Sequence, residues 1–373
     1  MLKNYKIRNY GFRLLIYVLA LSTLGILVIG SARESVQSKQ LAGVIVGAII
    51  MIIISMIDYS YVLRFSWILY TINVVLLVLV YAIGDSTNGS QRWIEIATIR
   101  FQPSELSKLL LILFFSYFFM KHQEKLNTWK ILLLSFLLVG VPLVLIKQQP
   151  DLSTTIVTAL VFIALLFMAG LSYKIVLGVL AVSVPTVIIF LSLILQPNQT
   201  ILDNYQYNRI MAWLNPAEYA NTAYQQQNSI MSIGSGQLWG KGLNNSAIDS
   251  MKNGNFIAEP QTDFIFAIIG EELGFVGCVI TIVLLLLIVI ECIIIARKAK
   301  DLAGRLICCG MAALIGFQGF INICVATGLM PNTGLTLPFV SYGLTSLMTL
   351  LMGIGFVLNV SLQPRKYGME DSL

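Results

Sequence analysis

Phe264 to Ala296, FIFAIIGEELGFVGCVITIVLLLLIVIECIIIA, is the stretch whose reading decides the fold. Its only charges are Glu271, Glu272 and Glu291. A run this long and apolar belongs in hydrocarbon, where about 20 residues of helix cross a bilayer. Working outward, comparable runs lie at Leu14 to Ala32, Leu41 to Ile57, Phe65 to Ile83, Leu106 to Met120, Ile131 to Ile146, Thr154 to Gly170, Ile175 to Leu195, Leu306 to Ala326 and Leu344 to Leu362. The expected fold is therefore an all-α polytopic membrane protein of about ten transmembrane helices. Composition agrees, because 57% of the 373 residues are hydrophobic and only 11% are charged, too few for the polar skin of a soluble globule. The first run is too long, and lacks the small-residue cleavage site, to be a removable signal, so it is expected to stay as an anchor.

The five cysteines, Cys278, Cys292, Cys308, Cys309 and Cys324, all fall inside expected spans without metal-type spacing and read as packing residues. The net charge of +6 does not point to nucleic acid, since the basic residues are scattered over short connections rather than gathered in a stripe. They report topology instead. One side of the expected membrane collects about 15 Lys and Arg, among them Arg8, Arg13, Arg64, Lys121, Lys125, Arg297, Lys298 and Arg305; the other collects roughly nine, mostly in long loops where the rule is weak. Both termini are accordingly expected in the cytoplasm.

On the outer side two connections are long, Gly84 to Glu105 and Gln196 to Thr262, the latter (196–262) between the seventh and eighth spans. A third outer stretch, Thr327 to Gly343, reads TGLMPNTGLTLPFVSYG: its glycines and prolines break helix while its apolar residues suit membrane depth, which predicts a re-entrant segment covered by protein or lining a water-filled cavity. No internal repeat or linker divides 1–373, so a single domain is expected.

Ionisable groups at membrane depth are costly, which makes each a functional candidate unless a partner explains it. In RFQPSELSK, Pro103 suits the first helical turn, Glu105 lies near the positive helix end, and Glu105 and Lys108 share a face three residues apart. A self-neutralising ion pair and a substrate-contacting role are both open for them. Lys147 and Asp151 bracket a proline at the outer end of a span, where a cap is the alternative reading. Glu271 leans toward the Asp263 side of its helix and Glu272 points opposite, toward a neighbouring helix, near a G-x-x-x-G step at Gly270 and Gly274. Glu291 is assigned no chemistry. Asp263, at the mouth of the deciding span, could be no more than a helix cap, as could Thr262. It also closes a loop of about 67 residues, far beyond the usual 12 to 15 for a structureless connection. Rich in Trp213, Trp239 and tyrosines, with Ile230, Met231, Ile233 and Leu238, that loop suits an amphipathic helix resting on the bilayer and roofing a pocket. The only histidine, His122, falls on a cytoplasmic connection, which excludes a histidine-dependent nucleophile outside. No nucleotide fingerprint or C-x-x-C is present. Carboxylate chemistry with cationic helpers, or transport through broken spans, is left.

Five motifs in order carry a resemblance: GSQRWI with RFQPSE across Gly89 to Glu105, QPDL at Gln149 to Leu152, IGSGQLWGKG at Ile233 to Gly242, TDFIFAIIGEELGF at Thr262 to Phe275, and GLTLPFVSYG at Gly334 to Gly343. The chain resembles the SEDS family (RodA, FtsW and SpoVE), with its compact length slightly closer to RodA. The resemblance implies a peptidoglycan glycosyltransferase polymerising lipid II into glycan strands on the outer face of the bacterial cytoplasmic membrane, for elongation or division, with a class B penicillin-binding protein as transpeptidase partner. It implies Asp263 as the catalytic aspartate, with Trp93, Glu105 and Lys108 lining the same cavity. Inversion at the sugar needs one base, a role Asp263 fits, and a leaving pyrophosphate needs cations, which Arg92, Arg100, Lys108, Arg209 or Lys241 can supply. Gln102, Asp151, Glu271 and Ser341 complete the expected cavity. No metal ligand set is expected, although a divalent cation, Mg or Mn, stays open as a cofactor. A lipid II flippase and a non-catalytic scaffold for the transpeptidase are the alternatives. Three positions depart from the family pattern: Gln261 stands where His is frequent, Ser153 where Gly is frequent, and Leu344 where a second Gly usually follows SYG.

Overall fold

The computed structural model describes residues 7–87, 90–96, 99–178, 181, 185, 192, 204–244 and 259–364. Helices α1 (Phe12–Ala32) and α2 (Glu34–Met56) form an antiparallel pair. A short helix, α3 (Tyr59–Leu63), capped by the Asp58 carboxylate on the Ser60 N–H at 2.8 Å, turns the chain into α4 (Ser66–Ile83). Then follow α5 (Pro103–Lys121), α6 (Trp129–Gln148) and α7 (Leu152–Met168). In the long connection before α10 lie α8 (Asn204–Leu214) and α9 (Ala220–Ser235), and the chain finishes with α10 (Ile265–Lys298), α11 (Leu302–Ala326) and α12 (Leu344–Leu362).

Among the described residues seven helices are long and apolar enough to cross a membrane, and Ser66–Ala82 and Leu152–Met168 are shorter apolar helices. These nine correspond to nine of the runs read from sequence; most of the remaining run, Ile175 to Leu195, lies outside the described residues. Burial explains which helices are central. α5, α11 and α12 are enclosed on nearly every side, whereas α2, α4 and α6 leave rows of isoleucine, leucine and valine facing outward. Exposed apolar rows of that kind are what a helix presents to lipid.

The structure adds a feature that helix periodicity does not reveal. The stretch before α5 holds three antiparallel strands, β1 (Asp85–Thr87), β2 (Ser90–Ile96) and β3 (Ile99–Phe101), in the order β1-β2-β3. One residue, Gln102, separates this small sheet from Pro103, which opens α5.

α10 carries the second surprise. At 1.5 Å per residue its 34 residues run about 51 Å, well over the roughly 30 Å of a hydrocarbon core. It is broken at Gly274, whose φ of 65° and ψ of −164° lie outside helix. The break strands the carbonyls of Glu271 and Glu272 and the N–H groups of Phe275 and Val276, which an unbroken helix would pair with one another. The loop at Gln237 to Gly242 takes up all four: Lys241 and Gly242 donate to Glu271 and Glu272, both at 2.9 Å, while Phe275 and Val276 donate to Gln237 and Leu238 at 2.8 and 3.2 Å. Gly240, at φ 78°, lies so close to the Glu272 carbonyl that a Cβ would collide with it. The IGSGQLWGKG motif is therefore a backbone splice into the helix. Below the break, Phe275 to Lys298 is long enough to span alone.

Candidate active site

Asp263 is not spent on capping its helix. The N-cap of α10 is Phe264, no side chain caps there, and the Thr262 hydroxyl donates to the Glu259 carbonyl at 3.0 Å. The carboxylate instead faces Gly334 of the re-entrant segment, where a Cβ would lie 3.5 Å from Asp263 Oδ2 and 3.7 Å from an Arg209 guanidinium nitrogen. Gly334, at φ 76°, thus lets carboxylate and guanidinium approach over bare backbone. Arg209, on α8, also donates to the Asn332 carbonyl at 3.3 Å.

Four charged groups act on the half-buried Asp263. Desolvation dominates and pushes its pKa up to about 6; Arg209 and Arg92 pull it down, and Glu259 and Asp151 push it up. Arg92, on β2, is fixed by donating to the Gln149 carbonyl at 3.1 Å and to the Pro150 carbonyl. Trp93 follows it along the strand, so its side chain leaves the sheet on the opposite face. Asp151 caps α7 through the Thr154 N–H at 3.1 Å and accepts from Gln102 Nε2 at 3.2 Å. The expected cap is real here, and it also holds a carboxylate and an amide near the site.

The re-entrant segment is stitched to the turn that carries Asp263. Ser341 Oγ donates to the Thr262 carbonyl at 2.6 Å and accepts the Leu337 N–H at 2.7 Å, while the Tyr342 N–H donates to the Gln261 carbonyl at 2.8 Å. From above, the outer loop clamps it. Trp213 Nε1 donates to the Gly328 carbonyl at 2.9 Å, Gln226 Nε2 to Val325 and Met330 at 2.8 and 2.7 Å, and Ser229 Oγ to Ala326 at 2.7 Å. α9 thus turns a polar face inward onto carbonyls that end α11, and leaves Tyr224 and Met231 exposed. A roof over the site is what results.

The other candidates make their contacts with groups other than Asp263. Glu105 and Lys108 pair at 2.8 Å with 6% and 2% exposure, and Lys108 also donates to Gln318 Oε1 at 2.9 Å. Lys241 pairs with Glu271 at 3.0 Å, and Glu271 also accepts from Ser232 at 3.0 Å. That pair lies beside the splice, about 12 Å of helix rise from Asp263, so it braces the roof rather than facing the aspartate. Arg100 is exposed and stands opposite Glu95 across the strands. Glu272 takes the Ser31 hydroxyl of α1, the neighbour contact expected of it, and Glu291 lies 3.9 Å from Arg13. Reading for ionisable residues missed Gln318, Asn322 and Glu259. The first two are neutral amides within an apolar run; their only signal was being polar at membrane depth.

Two of the three departures are accommodated locally, whereas Gln261 is buried with its side-chain oxygen unpaired among the described residues. Ser153 donates to the Thr333 carbonyl, and Leu344 packs over Gly43 of α2.

The family model for FtsW, RodA and SpoVE, described as a cell cycle protein, matches residues 10–366. The chain belongs to the FtsW/RodA/SpoVE family. Within it, the chain is 32% identical to a probable peptidoglycan glycosyltransferase FtsW of Geobacter metallireducens, covering 95% of this chain and 96% of that one. It is 33% identical to the peptidoglycan glycosyltransferase MrdB of Escherichia coli K12, covering 93% and 92%. Among solved structures, one reported for the structural coordination of polymerization and crosslinking by a peptidoglycan synthase complex superposes with a TM-score of 0.76 at 29% identity, covering 96% of this chain and 98% of that one. The rod shape determining protein RodA of Thermus thermophilus superposes at 0.68 and 26% identity, covering 96% and 97%. This FtsW/RodA/SpoVE chain is accordingly an integral membrane protein.

Proposed function

We propose that this peptidoglycan glycosyltransferase polymerises lipid II at the outer face of the cytoplasmic membrane, with Asp263 as the general base that deprotonates the acceptor hydroxyl. Family membership supports the activity, and one observation supports the residue: a carboxylate at the mouth of α10 that caps nothing, lies beside Arg209 over Gly334, and has its pKa raised to about 6. A base poised near the working pH is effective because it is both ionised and able to hold a proton.

In the reaction, the acceptor sugar hydroxyl attacks the anomeric carbon of the lipid-linked donor. Its proton passes to an Asp263 carboxylate oxygen, and the bond from that carbon to phosphate oxygen breaks. The polyprenyl pyrophosphate leaves with the electron pair, and the configuration inverts. Arg209 is placed to meet the charge developing on the leaving group, and Arg92, immobilised by its two carbonyls, adds positive field. Magnesium or manganese is a narrower fit. Among the described residues no three metal-type side chains converge, so a cation would draw most ligands from pyrophosphate and water.

A transpeptidase of the class B penicillin-binding type is the proposed partner, and both termini are proposed to be cytoplasmic. Reconstituted protein supplied with lipid II is expected to make glycan strands, and Asp263→Asn to slow this about 10²–10⁴-fold, the usual worth of a general base. Translocation of lipid II without polymer would overturn the enzyme reading in favour of a flippase; full polymerisation by Asp263→Asn would remove Asp263 as base.

A further inference from the structure

The carbonyls of Asp263 and Leu335 converge on one buried amide. Asn322 of α11, 1% exposed, donates Nδ2 to the Asp263 carbonyl at 2.8 Å and to the Leu335 carbonyl at 2.6 Å. Neither carbonyl is placed to be paired otherwise by regular helix: the first-turn hydrogen bond from Ala267 goes to Phe264, and Leu335 lies in irregular backbone. Asn322 Oδ1 makes no hydrogen bond among the described residues, so the side chain is held for its two N–H donors. One turn earlier on the same face, Gln318 Nε2 donates to the Thr336 carbonyl and to its hydroxyl, both at 3.0 Å. α11 therefore pins two consecutive re-entrant carbonyls, but only Asn322 also grips the residue that bears the carboxylate.

We propose that Asn322 is a positioning residue which sets the separation between the Asp263 carboxylate and the Gly334–Arg209 wall. This rests on the reading of Asp263 as base. The chemistry selects the amide. Asp in its ionised form offers no donor, Ser offers one, and Leu none, whereas two carbonyls on different segments need two donors from one nitrogen. Gly334 directly precedes Leu335, so a shift of the Leu335 carbonyl moves the surface that Arg209 and Asp263 share. A displacement of about 1 Å can cost about 10²-fold in rate when it misplaces a reacting group.

The test compares kcat, KM and the pH profile of polymerisation for the full chain and for Asn322→Ser, Asn322→Gln and Asn322→Asp, with Asp263→Asn alongside. Expected for Asn322→Ser is a kcat lower by about 10- to 10²-fold with KM within about threefold, because the substrate contacts are untouched. Its acidic limb should move upward, since Arg209 retreats from Asp263 while Glu259 and Asp151 stay; Arg92, held by its own carbonyls, stays too. Asn322→Gln keeps both donors and should recover part of kcat, and Asn322→Asp should recover none. Wild-type kcat and an unmoved limb in Asn322→Ser, with Asp263→Asn inactive, would overturn the positioning role alone. Polymerisation by Asp263→Asn would overturn base and positioning together. Loss of folded protein in all three Asn322 variants would assign the amide to folding and equally overturn the proposal.

Discussion

At the residue scale the decisive group is Asp263, whose environment makes two opposite predictions for activity and stability. Its pKa is raised to about 6, so the carboxylate form proposed as the base is lost as pH falls through that value. The rate should drop about tenfold per pH unit below it. A profile flat down to pH 4.5 would contradict this. For stability the sign reverses: a folded-state pKa above the unfolded 3.8 means the group's contribution is fully present below 3.8 and is lost as pH rises through about 6. Asp263→Asn removes an ionised group that the fold disfavours and caps nothing. The variant should therefore melt no lower than the parent at pH 8, and a clear loss there would show that the carboxylate does structural work. Glu105 and Lys108 behave differently, because each neutralises the other in a buried place. Glu105→Gln or Lys108→Met alone should cost about 3–5 kcal/mol in chemical denaturation, and the double variant clearly less than the sum. Additive losses would mean the pair is not the unit. The spacing of three residues made this pair legible in the sequence; its burial and its link to Gln318 were not, since they depend on α11 packing alongside.

At the element scale the broken helix organises the outer face. The splice takes up four backbone groups stranded at the Gly274 break, so the roof and the helix that follows Asp263 are joined through four main-chain hydrogen bonds. Gly240→Ala places a Cβ against the Glu272 carbonyl at a φ of 78°. It should destabilise this junction by about 1–3 kcal/mol and speed proteolysis within 233–242. A wild-type digestion pattern would show the splice to be dispensable. Sequence displayed the glycines of this loop and the G-x-x-x-G step, but periodicity carried α10 through Gly274 as one helix. The reason is physical: hydrophobic residues continue unbroken on both sides, and what ends the helix is a distant loop competing for its carbonyls. The small sheet before α5 went unseen because β1 and β3 have three residues each and β2, SQRWIEI, does not alternate strictly between apolar and polar.

At the scale of the whole molecule, apolar rows on α2, α4 and α6 face outward, and the outer assembly of α8, α9 and the re-entrant segment covers Asp263 from one end. In the proposed orientation Gln123 and Glu218, both exposed, lie on opposite sides of the membrane. An impermeant maleimide applied to intact cells should label Glu218→Cys and spare Gln123→Cys. The five native cysteines are buried and free, which keeps the background low. Labelling of Gln123→Cys would reverse the proposed orientation.

By itself the sequence determined the solvent and the helical architecture, and it singled out the long loop and Asp263 as candidates for function. Each of these follows from local quantities: run length, residue class, loop charge and a motif order that tolerates no reshuffling. Tertiary structure alone decided which candidates meet. Arg209 and Arg92 reach the field of Asp263, whereas Lys241 and Glu271 turn to each other and Lys108 to Glu105. It also revealed Asn322, hidden in the sequence because a neutral amide in an apolar span announces nothing until the two carbonyls it joins, 59 and 13 residues away along the chain, are folded against it.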